Sequence, residues 1–280
     1  IDFRALFSMF LLVSLSLQSD DAPASHLGKI DKSSFSQQTL MELFLDGITK
    51  NKNIICGDCD TPKPVAEWRG VTTNADGEVT MFRTIYCALF GTPQLQWLPE
   101  SVTKLDMTKN LLTGTLDLSV LPESLECLVL ADNKFSGEIA LESLHQRMCV
   151  LNLGMNQLSG SLKLESLPDN LKELYLDFNS FSGTVCLTNL PASMISLSIN
   201  DNKLHGGVDL TRLPDGLASL FLGTNGFCGE TDFSQLPFQT LKLFAVDHTQ
   251  MSGTVVVPQS CAQLEIMAED SQVVVIQEHN

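Results

Sequence analysis

The feature that most constrains this chain is a 23-residue repeat that keeps its register from position 98 to position 236. A leucine opens each unit: Leu98, Leu121, Leu144, Leu167, Leu190, Leu213 and Leu236. An asparagine column keeps the same step: Asn110, Asn133, Asn156, Asn179, Asn202 and Asn225. One unit of this length cannot bury its own apolar face, so the units must stack into an elongated solenoid with a continuous core.

The unit at residues 167–189, LPDNLKELYLDFNSFSGTVCLTN, shows how each repeat should fold. Leu174 and Leu176 alternate with Tyr175, which predicts a short strand with the leucines inward and the residue between them outward. Asn179 follows where the chain turns away, and its amide can satisfy buried turn backbone groups, so we expect a structural asparagine ladder. The strands should stack in parallel, about 4.8 Å apart, into a curved sheet. The proline after most unit leucines disfavours helix, so the convex side should hold short extended or 3-10 segments.

This pattern resembles the leucine-rich repeat, L-x-x-L-x-L-x-x-N-x-L, across about residues 75–258. The F/L-S-G-x ending is similar to the plant-type repeat, and the LPxxL opening resembles protist surface proteins of the same class. The resemblance implies a mostly β member of the α/β solenoids. It should be a right-handed, curved solenoid with a parallel concave sheet. The resemblance also implies a non-enzymatic recognition module that binds a protein, peptide or glycan through that sheet.

The flanks of the repeat suggest four segments. Arg4 and the apolar run that follows it are typical of a secretory signal peptide over residues 1–24. Residues 25–74 should form an N-terminal cap with an amphipathic helix at 36–50, opened by a Ser34–Gln37 capping box. About eight repeat units should occupy 75–258, and 259–280 should form a closing segment. In the last unit His248 is expected to replace the ladder asparagine.

Cys56 and Cys59 form a C-G-D-C motif ahead of the repeats, for which a cap disulfide, a redox pair and half a zinc site are the alternatives. No second cysteine pair supplies further zinc ligands, and the proline-rich residues that follow do not open a helix as a redox motif would, so we favour the disulfide. Cys87 is an alternative partner. The cap resembles that of plant-type secreted solenoids, which usually have a further cysteine where this chain has Thr72 and Thr73.

Composition narrows the function. The formal net charge of −16 disfavours nucleic acid as a partner. The sequence has no phosphate-binding loop, nucleophile elbow or kinase signature, so we expect no catalysis, cofactor or metal. We expect a secreted or cell-surface protein. The alternative is the ectodomain of a membrane-anchored receptor or surface antigen whose anchor is missing, with membrane association through that anchor.

Ligand binding is expected on the outward residues of the concave strands. The residue between the two inward strand positions recurs as Arg83, Asp106, Val129, Asn152, Tyr175, Ser198, Phe221 and Phe244. This column varies while its neighbours stay constant, and aromatic residues dominate binding hot spots. The candidate binding residues are Tyr175, Phe178, Phe221, Phe244, Asn152 and Asp177. The alternative is that these aromatic residues only pack across neighbouring strands.

Overall fold

The computed structural model describes residues 32–261 and 263–278. The chain divides into two compact units, residues 1–34 and residues 35–280. The first contributes a 3-10 turn at Lys32–Ser34, and the expected signal peptide lies outside the described residues. In the described part of the chain, every helix is too short or too polar to cross a membrane.

The second unit contains two short helices and twenty strands. The helices are α1 (Gln37–Phe44) and α2 (Asn53–Cys56). The strands are β1 (Ile48–Lys50), β2 (Val71–Thr73), β3 (Val79–Arg83), β4 (Phe90–Gly91), β5 (Lys104–Asp106), β6 (Leu111–Gly114), β7 (Cys127–Val129), β8 (Lys134–Glu138), β9 (Val150–Asn152), β10 (Gln157–Gly160), β11 (Glu173–Tyr175), β12 (Ser180–Gly183), β13 (Ser196–Ser198), β14 (Lys203–Gly206), β15 (Ser219–Phe221), β16 (Gly226–Glu230), β17 (Leu243–Ala245), β18 (Gln250–Val257), β19 (Glu265–Met267) and β20 (Gln272–Gln277).

These strands form two sheets of ten. The concave sheet runs in the order β19-β17-β15-β13-β11-β9-β7-β5-β3-β2 and is parallel except for the antiparallel pair β2–β3. The second sheet runs β1-β4-β6-β8-β10-β12-β14-β16-β18-β20, with β1 antiparallel to β4. Each repeat contributes one strand to each sheet, which confirms the predicted leucine-rich-repeat solenoid.

The core lies between the sheets. Leu174 and Leu176 point inward from the first sheet, Phe181 points inward from the second, and all three are fully buried. The convex side carries 3-10 turns, among them Leu118–Val120, Leu141–Ser143 and Leu164–Ser166, each of which buries its first leucine. The prediction of short convex segments is therefore confirmed.

The N-terminal helix is shorter than the sequence suggested, because α1 covers only 37–44 of the expected 36–50. Ser36 caps it by accepting a hydrogen bond from the Thr39 backbone N–H at 3.1 Å, so the expected capping box at Ser34 is wrong. The helix ends before Gly47, where a Cβ would overlap the Thr92 carbonyl oxygen, and Gly47 accepts the Thr92 N–H at 2.9 Å. Residues 48–50 are drawn into β1 at the edge of the second sheet instead.

The repeat gains one residue near its C-terminal end. Pro237 and Leu241 are separated by three residues, whereas the corresponding Pro214 and Leu217 are separated by two. Leu220 therefore pairs with Phe244, which is fully buried, and Ala245 takes the position in register with Phe221. The expectation that Phe244 faces outward is wrong, because the inserted residue moves its side chain to the core face of the strand.

The same shift moves the ladder position from His248 to Thr249. The Thr249 hydroxyl donates to the Val246 carbonyl oxygen at 2.6 Å, as Asn225 donates to the Leu222 carbonyl at 3.1 Å. His248 occupies the preceding, exposed position. Residues beyond 259 then continue both sheets with β19 and β20.

Candidate ligand-binding face

The asparagine ladder fixes the turn that follows each concave strand. Asn179 donates to the carbonyl oxygens of Leu176 and Asp177 in its own unit and of Leu153 in the preceding unit, at 3.0–3.2 Å. Its side-chain oxygen accepts the Leu158 N–H at 2.9 Å. One side chain thus satisfies backbone groups of two units that would otherwise lack partners.

This network imposes an unusual backbone on the residue that precedes each ladder position. That residue has a positive φ in nine consecutive turns: Tyr86, Lys109, Asp132, Met155, Phe178, Asp201, Thr224, His248 and Asp270. We call this set the rim row. Positive φ disfavours bulky side chains, yet Tyr86, Met155 and Phe178 are 77%, 49% and 50% exposed. The fold gains no core packing from these apolar groups, so Met155 and Phe178, in adjacent units, are candidates for ligand contact.

The centre of the concave sheet is a cleft with a small-residue floor. Tyr175, Ser198 and Phe221 lie in register on β11, β13 and β15. Tyr175 and Phe221 are half-buried, whereas Ser198 is only 5% exposed because its larger neighbours shield it. Two strand spacings place the rings about 10 Å apart, which leaves room for one extended chain segment between them.

Polar groups line one side of this cleft. The Tyr175 hydroxyl donates to Glu173 Oε2 at 3.3 Å, and the Ser198 hydroxyl donates to Asn200 Oδ1 at 2.6 Å. Burial raises the pKa of the Tyr175 phenol, and a hydrogen bond with Ser196 opposes that shift. The cleft thus offers donors and acceptors beside two apolar ring faces.

Asp177 is the acid of this cleft. Burial raises the pKa of its carboxyl group, and the nearby charge of Asp201 adds to the effect, against hydrogen bonds from its own backbone and from Ser198. The carboxylate occupies space above Gly154, where a Cβ would lie 2.9 Å from Asp177 Oδ1. The ionised form of Asp177 is therefore poorly solvated, and a cationic ligand group would be favoured there.

The other candidates have different environments. Asn152 accepts the Gly154 N–H at 3.1 Å and is in register with Tyr175, so it supports the turn at the edge of the cleft. Arg83 and Asp106 form an exposed ion pair at 3.2 Å several strands away. The structure brings together Tyr175, Asp177, Phe178 and Phe221, with Asn152 beside them, and removes Phe244 from the face.

Two contributors went unnoticed in the sequence. Met155 belongs to the rim row, and its recurrence beside each ladder asparagine was a signal that could have identified it. Ile195, which precedes β13, is 43% exposed on the other side of the cleft. Its only sequence signal is an apolar residue at a position filled elsewhere by residues such as Lys172 and Lys242.

The cysteines of the cap are free thiols in the structure. Burial raises the pKa of Cys56, and interactions with the neighbouring Cys59 raise it further. The two side chains are thus close enough to interact, whereas Cys87 is buried with its thiol directed to the Ile85 carbonyl oxygen at 3.4 Å. A Cys56–Cys59 disulfide stays a prediction.

No protein-family model and no curated protein matches the chain. Among solved structures, that of Pollen Receptor Kinase 3 is 26% identical, with a TM-score of 0.59, over 69% of this chain and 96% of that one. The PEPR1–AtPEP1 structure is 22% identical, with a TM-score of 0.63, over 86% of this chain and 41% of that one.

A third similar structure is the ectodomain of the plant membrane receptor kinase GASSHO1/SCHENGEN3 from Arabidopsis thaliana, in complex with CASPARIAN STRIP INTEGRITY FACTOR 2. It is 22% identical, with a TM-score of 0.58, over 88% of this chain and 35% of that one. The chain therefore spans well under half the length of two of these three structures. By its repeat and by its fold, this chain is a leucine-rich-repeat protein.

Proposed function

We propose that this chain is a secreted or cell-surface recognition module that binds an extended peptide, free or part of a protein, in the cleft between β11 and β15. The observation that carries the proposal is the conjunction of a buried serine floor with half-buried Tyr175 and Phe221 on either side. Large rings beside a channel one strand wide are suited to gripping an extended chain. Binding there requires no chemistry from the protein.

The rim residues support this proposal. Phe178 and Met155 expose apolar surface while holding a backbone conformation that costs free energy in bulky residues. Neither feature stabilises the free protein, and both become favourable when a partner covers the side chains. Asp177 adds a preference for a partner with a basic residue near its centre.

A second form of the proposal is that the chain is the ectodomain of a membrane-anchored receptor or surface antigen. The observation that favours it is that the similar structures include a pollen receptor kinase and the ectodomain of a membrane receptor kinase. A transcript that extends beyond both ends of this sequence would distinguish the forms, because an anchored protein must encode a membrane span or a lipid-anchor signal.

The test is selection of a random peptide library displayed on phage against the immobilised chain. Enriched peptides should bind the Tyr175→Ala/Phe178→Ala double variant at least about tenfold more weakly, as hot-spot residues predict. Tyr86→Ala is the matched control. Tyr86 holds the same rim position four units away and is even more exposed, so its removal should leave binding unchanged.

Peptides that bind the double variant as tightly as the native chain would contradict the proposed site. A glycan ligand is the other partner class that the resemblance suggests. In that case the library would yield no specific peptide, and a glycan array would identify a ligand whose binding depends on the same two rings.

A further inference from the structure

The end of the second sheet differs from the rest of it. β20 pairs with β18 in parallel over six residue pairs, from Ser252–Gln272 to Val257–Gln277, whereas the other strands of this sheet pair over two or three. Its far edge pairs with no strand among the described residues. A row of backbone N–H and C=O groups is therefore free to pair with another strand.

This edge lacks the features that usually protect one. The segment Gln272–Gln277, QVVVIQ, contains no charge, proline or glycine, and its composition strongly favours β structure. Val274, Val275 and Ile276 are 54%, 41% and 46% exposed, and Val256 beside them on β18 is 49% exposed. These four are among eleven large apolar side chains exposed in the described residues, so this end holds the densest such patch.

We propose that β20 is a self-association edge that pairs antiparallel with β20 of a second copy of this chain. A two-fold axis perpendicular to a sheet must pass beside a residue and its own copy, because paired residues point to the same face. Centred on Val275, the pairing sets Val274 against Ile276 and Gln272 against Glu278. All central pairs are then apolar, and the outermost pair can form a hydrogen bond.

The neighbouring registers are worse, which is why the occupant is a second copy in one defined arrangement. A pairing centred on Val274 sets Asp270 against Glu278, and like charges directly opposite each other are destabilising. A pairing centred on Ile276 sets Glu278 against Val274 and buries a carboxylate beside an apolar group. Only the register at Val275 avoids both costs.

The charge of the protein gives the association a signature. Each copy carries a formal net charge of −16, so two copies repel each other at long range. Added salt screens this repulsion, with a Debye length that falls from about 30 Å at 0.01 M to about 10 Å at 0.1 M. Dimerisation should therefore strengthen with ionic strength, in contrast to association through surface ion pairs.

Sedimentation equilibrium from about 5 to about 500 µM, a range suited to a small interface, tests this proposal. The native chain should show a monomer–dimer equilibrium that persists in reductant and tightens with salt. Val275→Lys, which places two lysines together on the axis, should weaken the dimer at least about tenfold. Val256→Lys adds the same charge one strand in from the edge and should leave the dimer intact.

A chain that remains monomeric throughout that range, or equal weakening by Val275→Lys and Val256→Lys, would overturn the proposal. Folding of both variants is checked by circular dichroism. If Val275→Lys does not fold, amide exchange of the native chain decides the matter. Protection across 272–277 must rise with protein concentration if this edge pairs, and concentration-independent exchange there would refute it.

Discussion

The central units and the C-terminal turns solve the same structural problem with different side chains. From Asn110 to Asn225 the ladder uses amides that both donate and accept, and the step is constant. In the last turns hydroxyls replace them. Thr249 donates to the Val246 carbonyl oxygen and Ser271 to the Ala268 carbonyl oxygen, both at 2.6 Å. A hydroxyl reaches fewer groups than an amide, so the last turns are joined to their neighbours by fewer side-chain hydrogen bonds.

The difference extends to the concave face. In the central units this face has outward aromatic residues on either side of a small-residue floor, whereas the inserted residue near the C-terminus sends Phe244 into the core and presents Ala245. The central face is therefore available for a ligand, and the last turns expose their apolar surface mainly on β20. The two regions are suited to different contacts.

The largest expected effect is on the ladder. Asn133 is buried, accepts the Leu112 N–H and donates to three carbonyl oxygens at 3.0–3.2 Å. Asn133→Ala should lower the free energy of unfolding by about 1–3 kcal/mol, because these groups lose their partner. Thr249→Ala, which frees fewer groups, should cost less than half as much in urea unfolding. Equal losses would show that amide and hydroxyl ladders are equivalent.

A smaller effect is expected on ligand affinity. With a peptide selected on the native chain, Tyr175→Ala and Phe221→Ala should each weaken binding by more than about 1 kcal/mol while leaving the melting temperature nearly unchanged. Met267→Ala serves as the control, because Met267 is in register with Ala245 on the same face and is 42% exposed at the C-terminal end. A loss of affinity in Met267→Ala alone would place the ligand on the last turns.

The smallest expected effect compares two carboxylates that lie above glycines. Asp177 covers Gly154, and Asp247 covers Gly223. Burial raises the pKa of Asp177, so its protonated form is favoured in the fold and its ionised form costs stability at neutral pH. Asp177→Asn should therefore raise the melting temperature at pH 7. This gain should shrink as the pH falls through the raised pKa of Asp177 and toward the ordinary range near 4.

Asp247 should respond with the opposite sign. Its carboxylate lies 3.1 Å from His248 Nδ1 and raises the pKa of that imidazole, with a further contribution from Asp270. The resulting stabilisation is present below the ordinary histidine pKa of about 6.5 and is lost as the pH rises through the raised value. Asp247→Asn should therefore lower the melting temperature near pH 5.5 and have little effect near pH 8.5. The same sign for both variants at all pH values would contradict this contrast.

The sequence predicts the fold well because its determinants are periodic. The alternation of Leu174 and Leu176 defines the concave strand, and the asparagine column defines the turn. The register is lost where the period changes, since one residue inserted between Pro237 and Leu241 reverses the face of Phe244. The helix boundary fails for a related reason, because the strand partner that ends α1 near Gly47 lies more than forty residues along the chain.

The candidate site is only partly visible in the sequence. Tyr175 and Phe221 follow from strand alternation, and Phe178 from its neighbour. The burial of Ser198 and the raised pKa of Asp177 depend on side chains from adjacent units, which the pattern of a single unit does not specify. The strained backbone of Met155 and Phe178 likewise appears only once the ladder has formed.

The most direct test of the proposed binding face is hydrogen–deuterium exchange of the chain saturated with a selected peptide. Binding in the cleft should slow exchange across β11, β13 and β15, together with the turn at Phe178. The convex 3-10 turns at Leu141–Ser143 and Leu164–Ser166 should exchange as in the free chain. Protection confined to those convex turns, with β11 to β15 unchanged, would show that the ligand does not bind the concave sheet.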